Sequence, residues 1–528
     1  MFPDLLHTAT FDSASRLGDR VVFAVPGQSI TYETLAERAA RLATVLIAHG
    51  VRRGDRVGVY FQKSIESAVA IYAVMQAGAA YIPLDPAAPT ERTRSVLQQC
   101  GAKVLVSHDA QKAKLTDILP AGLAVVIGPS GLEHPEVATV TWSDAMSADP
   151  APASVAGASE MDLAYIIFTS GSTGQPKGIM HTHQSGRAYS KMAGALYDVG
   201  SHDRLASFSP LHFDMSTFDY FCGPQHGATT MIVPDPYTKL PASMSELVQE
   251  EALTIWYSVP FALTQMLLYG AMDEHDLSTL RWIIFAGESF APKHLAALTE
   301  RLPNARFSNA YGPAESNVCT YYHLPARWRE ADGQPPIGVA CPNNDVLVVD
   351  EANDPSPDGE MGELLVRSPT TMRGYWDRPD LNKRVFAARP GAGGVDDIWL
   401  RTGDIVSRRS DGLLAFHGRA DRQVKVRGYR VELDEIEDIL SSHTDVEEAS
   451  AYPVKLDETV TVIHATITVR SKTRLSSDSI SEYVTTRLPG YARPSQFDIV
   501  DTFPRTSSGK IDWKALSIAA EKAQKEKG

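Results

Sequence analysis

Between residue 28 and about residue 335, short apolar runs of strand length alternate with stretches of helical periodicity, and this alternation most limits the fold. DRVGVYF (55–61) is followed by SIESAVAIYAVMQAG and then by AAYIPLDP, a strand–helix–strand order. AKVLVSH (102–108), LAVVIG (123–128), RLASFSP (204–210), ATTMIVP, LTIWYSVP and RWIIFAGES continue the strand pattern. Such an order predicts a parallel sheet with crossover helices. Leu35, Ala39, Leu42 and Leu46 share a helical face, and Gly50 stands where a helix C-cap belongs. DMSTFDYFCGPQHG (214–227) predicts a helix that opens at Asp214. From about residue 335 the texture changes to short strands, DVLVVDE, GELLVRS, DIWLRTGDIVSRR and GLLAFHG, a β-rich and barrel-like unit. A further strand and helix alternation opens near residue 418.

At 528 residues the chain is long enough for more than one core. A formal charge of −14 argues against binding nucleic acid, because phosphate contacts need a basic surface. No apolar run is long enough to span a bilayer, and the N-terminus lacks the basic start and apolar run of a secretory signal, so no membrane association is expected. Cys100, Cys222, Cys319 and Cys341 are far apart and form no CxxC pair. They are expected as free thiols in a reducing, cytoplasmic setting.

Residues 165–183 read YIIFTSGSTGQPKGIMHTH. An apolar strand runs into a loop of Thr169, Ser170, Gly171, Ser172, Thr173 and Gly174, with Lys177 beyond Pro176. Small hydroxyls and glycines let backbone N–H groups approach an anion, and the lysine adds charge, so the loop suits a triphosphate. Pro176 separates the glycines from the lysine, so this is not a Walker A loop. The whole string resembles the phosphate loop of the adenylate-forming superfamily, which contains acyl-CoA synthetases, luciferases and peptide-synthetase adenylation domains. MQAGAAYIPLDP (75–86), NAYGPAES (309–316), GELLVRS (362–368), LRTGDI (400–405), the string at 418–437 and PRTSSGKID (504–512) resemble further motifs of amino-acid adenylation domains, in the same order.

The resemblance implies an α/β fold. A large N-terminal core of two sheet subdomains and a barrel-like subdomain spans residues 1–420. A small mobile α+β domain spans 421–528, with its hinge at Asp421. It implies ATP binding by the loop residues, Gly287, Tyr311 as the adenine face, Asp404 on the ribose hydroxyls and Arg419 beside them. Glu315 becomes a magnesium ligand and Lys510 the catalytic cation at the α-phosphate. Taken singly, Tyr311 reads as a core residue, Asp404 more often as a turn residue and Lys510 more commonly as a surface lysine, so their roles rest on the motifs. The family has Thr where Ala314 stands, which removes one hydroxyl. Arg419, Arg422, Lys425, Arg427 and Arg430 form a basic cluster in an acidic chain.

By the same resemblance Asp214 holds a substrate ammonium, although its position also suits a helix N-cap. The other pocket positions are Met215, Phe218, Tyr257, Ile284, Ala286, Ala310, Val318 and Cys319. None is charged, which favours an apolar amino acid. The chain is also similar to stand-alone enzymes that load β-amino acids for polyketide starters. The expected reaction is aminoacyl-AMP formation with release of pyrophosphate, then transfer to the phosphopantetheine thiol of a separate carrier protein. The rivals are an acyl- or aryl-CoA synthetase acting on an amine-free acid, with Asp214 only a cap, and a non-catalytic relative.

Overall fold

The computed structural model describes residues 4–152, 157–171, 175–457, 460–470, 475–506 and 510–526. Two large sheets form the body. One has nine strands, of which Val21–Val25, Thr229–Ile232, Arg204–Ser207, Ile255–Ser258, Trp282–Phe285 and Arg306–Tyr311 run parallel. The other has eight, with Leu163–Thr169, Ala80–Leu84, Arg56–Tyr60, Val104–Ser107, Val125–Gly128 and Ala138–Thr141 parallel, as the alternation predicted. Leu163–Thr169 also pairs antiparallel with Lys177–Thr182.

The helix Ile65–Gln76 contacts strands of both sheets, and nearly all its side chains are buried. It is apolar all round for that reason. Ser64 caps it: its hydroxyl accepts from the Ser67 N–H while the Ser67 hydroxyl accepts from the Ser64 N–H. The helix Tyr32–Ala48 starts at Thr31, whose hydroxyl accepts from the Thr34 N–H, and it buries Leu35, Ala39, Leu42 and Leu46 as the spacing required.

The β-rich segment is a five-stranded antiparallel sheet of Asp345–Val349, Met361–Arg367, Phe386–Pro390, Asp396–Arg408 and Leu414–Arg419. Among the described residues its outer strands do not pair with each other, so the expected barrel is open. Beyond Arg419 a hairpin, Gln423–Val426 with Tyr429–Glu432, turns at Arg427 and Gly428, both at positive φ (52° and 83°). Two left-handed residues make the turn that matches strand twist. A three-stranded sheet follows, Val446–Lys455, Thr461–Val469 and Gln496–Ile499, packed by Leu433–Ser441, Ser477–Thr485 and Trp513–Lys525. Its core of Val431, Ile436, Leu440, Ala451, Ile467 and Val484 is separate from those of the large sheets. No described helix is long and apolar enough to cross a membrane. All four cysteines are free and buried.

The helix expected to open at Asp214 starts later. Asp214 lies in a turn whose carbonyl accepts from the Thr217 N–H and hydroxyl, and Phe218–Cys222 is a π-helical turn. Such widened turns recur where a helix is bent to serve a site.

Candidate functional site

The C-terminal ends of parallel strands present their following residues along one sheet edge, the usual position for a ligand site in open α/β sheets. Here Tyr257, Ala286, Gly287, Ala310 and Tyr311 lie along that edge. They border a cavity of about 710 Å³ between the two large sheets, the β-rich sheet and the small domain. Thr169, Ser170, Asp214, Met215, Val318, Asp404, Arg419 and Asp421 also line it.

Other expected residues sit elsewhere. Phe218 packs behind the wall, edge-on to Tyr257 at 5.5 Å. Ile284 is buried in the same apolar cluster and does not line the cavity. Cys319 belongs to a different cluster, with Ile337, Val348 and Leu364. Phe218 lies in a π-helical turn and Cys319 just before strand Thr320–His323, off the parallel strands, while Ile284 shares a face with Ala286 but lies further from the strand end that borders the cavity. Gly171 does not line the cavity, and its Cβ position is only 2.0 Å from the Gln175 carbonyl oxygen, so no side chain fits there. Ser172, Thr173 and Gly174 lie outside the described residues. Lys510 is exposed and does not line the cavity.

The groups expected to meet nucleotide are engaged with the protein itself. The Arg419 Nη1 donates to Asp404 at 2.7 Å, the Tyr311 hydroxyl donates to the same carboxylate, and Arg419 grips Asp421 with two bonds of 2.7 Å. Burial pushes the Asp404 carboxyl up, against Arg419 and Tyr311. Lys177 is buried and donates to Glu432 of the small domain at 2.9 Å. Burial, and then Arg430, lower the Lys177 ammonium, against Glu432 and Glu315.

Both oxygens of Glu315 accept from Arg430, at 2.9 and 2.8 Å, and one also accepts from Tyr375 at 2.6 Å. Burial would raise this carboxyl, but Arg430 and Lys177 outweigh it and hold Glu315 well below the usual range. In this arrangement the expected magnesium ligand is paired with Arg430 and Tyr375. Among the described residues no cluster of three or more His, Cys, Asp or Glu could hold a metal.

The small domain's hairpin closes the cavity. Lys425 keeps surface open to the cavity while protein surrounds it, and it faces both Asp214 and Asp404. Burial raises the Asp214 carboxyl, and Lys425 opposes that shift. The Ser170 hydroxyl donates to the Arg430 carbonyl at 3.0 Å, and the Gly428 N–H donates to Glu288 at 3.0 Å. The basic cluster was legible in the sequence. Glu432, Glu288 and Tyr375 were not, because each acts on a partner far away along the chain and carries no local signature.

Residues 10–376 match the AMP-binding enzyme family, and residues 435–510 match the AMP-binding enzyme C-terminal domain. The chain is 31% identical over 517 residues to an L-proline--[L-prolyl-carrier protein] ligase of Pseudomonas fluorescens, covering 98% of this chain and 99% of that one. It is 33% identical over 514 residues to a linear gramicidin synthase of Brevibacillus parabrevis, covering 97% of this chain but only 10% of that protein. The structure of the Vibrio cholerae adenylation domain AlmE, in complex with glycyl-adenosine-5'-phosphate, superposes with a TM-score of 0.84 at 24% identity, covering 99% of this chain and 98% of that one. That likeness shows the fold: a large N-terminal and a small C-terminal domain of mixed α/β structure.

Proposed function

The chain belongs to the AMP-binding enzyme family and is an ATP-dependent, AMP-forming amino-acid ligase, and from that premise we propose its substrate, its acceptor and the residues that serve them. The substrate is an amino acid with an apolar side chain, and the resemblance noted in the sequence extends this to a β-amino acid. The acceptor is the phosphopantetheine thiol of a separate carrier protein. The observation that carries the reading is Asp214. Its carboxylate is desolvated at the wall of a cavity bordered by Met215, Tyr257, Ala286, Ala310 and Val318, an environment in which a carboxylate binds an ammonium strongly.

In the first half-reaction the amino-acid carboxylate attacks the α-phosphate of ATP and pyrophosphate leaves. Thr169, Ser170 and Lys177 hold phosphates, Tyr311 and Gly287 border the adenine, and Asp404 with Arg419 holds the ribose. Lys510 stabilises charge on the α-phosphoryl oxygens, where a cation acts more on the transition state than on the ground state. The core ends at residue 420, and the small domain, residues 421–528, turns about Asp421 between the half-reactions. In the second, a thiol attacks the acyl carbon and AMP leaves. The arrangement described above, with Lys510 outside and the hairpin over the cavity, suits the second step.

The test is pyrophosphate release across α-amino, β-amino and amine-free acids. A β-amino signal tenfold above its α-isomer, about 1.4 kcal/mol of discrimination, supports the β-amino reading. A stronger α signal replaces it, and activity confined to amine-free acids overturns the role of Asp214.

Gly428 tests the docking of the hairpin. A Cβ there would lie 2.4 Å from the Val259 Cγ1 and 2.9 Å from its Cβ, at a φ of +83°. Val259 is β-branched and stiff at its first torsion, so it cannot swing away. Overpacking of this kind costs about 1–3 kcal/mol, so Gly428→Ala should slow acyl transfer about 5- to 150-fold. Pyrophosphate release, which does not use this docking, should keep its rate. An equal loss in both steps would overturn the assignment of this arrangement to transfer.

A further inference from the structure

A thiol must lose its proton before or as it attacks an acyl adenylate, since the thiolate is the nucleophile. Most acids and bases bordering the cavity are already committed. Glu288 accepts from the Phe261 and Gly428 N–H groups with one oxygen each. Asp404 and Asp421 are paired with Arg419, and Asp214 is reserved for the substrate ammonium. One imidazole lines the cavity among the described residues, that of His212.

His212 lies two residues before Asp214, in the loop after strand Arg204–Ser207. Its ring contacts Phe213 at 5.1 Å. Phe213 meets Tyr429 of the hairpin edge-on at 5.0 Å, and Tyr429 stacks on Tyr491 at 4.1 Å. His212 therefore stands at the seam where the hairpin of the small domain packs over the cavity. Its Nε2 is buried, has no hydrogen-bond partner among the described residues, and lies 3.8 Å from the Asp85 carboxylate. That leaves Nδ1 as the nitrogen that a ligand in the cavity can reach.

Resting on the reading that this cavity transfers an acyl group to a thiol, we propose that His212 is the base of that step, with Asp85 as the positioning carboxylate. Neutral imidazole takes the S–H proton at a ring nitrogen. The sulfur lone pair forms the C–S bond at the acyl carbon, and the tetrahedral intermediate collapses with cleavage of the C–O bond to AMP. AMP leaves as the anion, and the imidazolium, stabilised by Asp85, returns its proton to solvent. The charges around the ring suit this order. Burial lowers His212 from its usual value; Asp85 and Asp235 oppose the shift, while Arg92 and Lys63 reinforce it. Arg92 is itself held by Glu435 at 2.6 Å, and Lys63 by the Ser207 and Phe208 carbonyls. The ring is thus neutral at pH 7 and ready to accept. Tyr429 and Tyr491, both pushed up by burial, stay neutral as well.

The experiment separates the two half-reactions in the full chain, with ATP, an accepted amino acid and pantetheine as the thiol. His212→Asn should retain pyrophosphate release within about threefold and lose about 10²- to 10³-fold in thioester formation at pH 7, the usual range for a general base. The deficit should shrink as pH rises and solvent supplies thiolate, and added imidazole should restore His212→Gly. Thioester formation at the wild-type rate, or a deficit independent of pH, overturns the proposal. Should His212→Asn lose both steps, Asp85→Asn decides. Removing that carboxylate disfavours imidazolium, so the acid limb of wild-type transfer must move to lower pH, and an unmoved limb overturns the proposal. Absence of amino-acid-dependent pyrophosphate release in the wild type would instead overturn the parent reading.

Discussion

Replacing Asp214 with alanine should lower amino-acid-dependent pyrophosphate release roughly 150- to 5,000-fold, because removing one half of a buried ion pair costs about 3–5 kcal/mol. The loss should appear in kcat/KM for the amino acid and leave the KM for ATP near its wild-type value, since Asp214 borders the apolar end of the cavity near Met215 and Tyr257. Fold stability provides the control. Burial raises the folded-state pKa of Asp214. The folded chain therefore holds that proton more tightly than the unfolded chain, and stability falls as pH rises from the unfolded value through the raised one. Alanine removes this penalty, so the variant should melt no lower than wild type at pH 7. The sign reverses for activity: as pH falls through the raised pKa, the carboxylate protonates and loses its hold on the ammonium, so kcat/KM declines at a higher pH than an ordinary aspartate would give. Turnover unchanged in Asp214→Ala would leave it as a turn residue and favour an amine-free acid.

Lys510→Ala should cost about 10²- to 10³-fold in pyrophosphate release, the usual loss when a group that stabilises developing charge is removed. The same variant, supplied with preformed aminoacyl-adenylate, should make thioester at close to the wild-type rate. The structure gives the reason for this split. Lys510 is exposed and does not line the cavity, whereas Lys425 from the same domain borders it. Arg505 is bridged to Ile511, and the Thr506 N–H donates to the Lys510 carbonyl. To reach an α-phosphate, Lys510 has to travel with the whole domain. Equal losses in both half-reactions would mean that Lys510 does not alternate with the hairpin and that the domain works in one position.

The parallel strands were legible because buried strands read as continuous apolar runs such as WIIF and VVIG, and the helix Tyr32–Ala48 because its core face repeats at helical spacing. The start of the Asp214 segment was not. Its π-helical turn depends on how Phe218 and Tyr220 pack against Tyr257, Tyr197 and Phe23, contacts that come from other parts of the chain. The open β-rich sheet was likewise invisible, since strand propensity does not reveal whether edge strands pair.

The division at the candidate site follows the same line. The resemblance of its motifs to those of amino-acid adenylation domains was enough to nominate Asp214, Tyr311, Asp404 and Arg419 together, because a motif is a local property, whereas residue type and spacing alone left each open to a structural role. Which of them face the cavity, and what charge each meets, was set by the three-dimensional packing. It turned Phe218 and Cys319 away, gave Glu315 to Arg430 and Lys177 to Glu432, and set His212 beside Asp85. Each of these outcomes is a distance between groups on different elements. Coulomb interaction and desolvation depend on that distance and on burial, neither of which is written in the order of the residues.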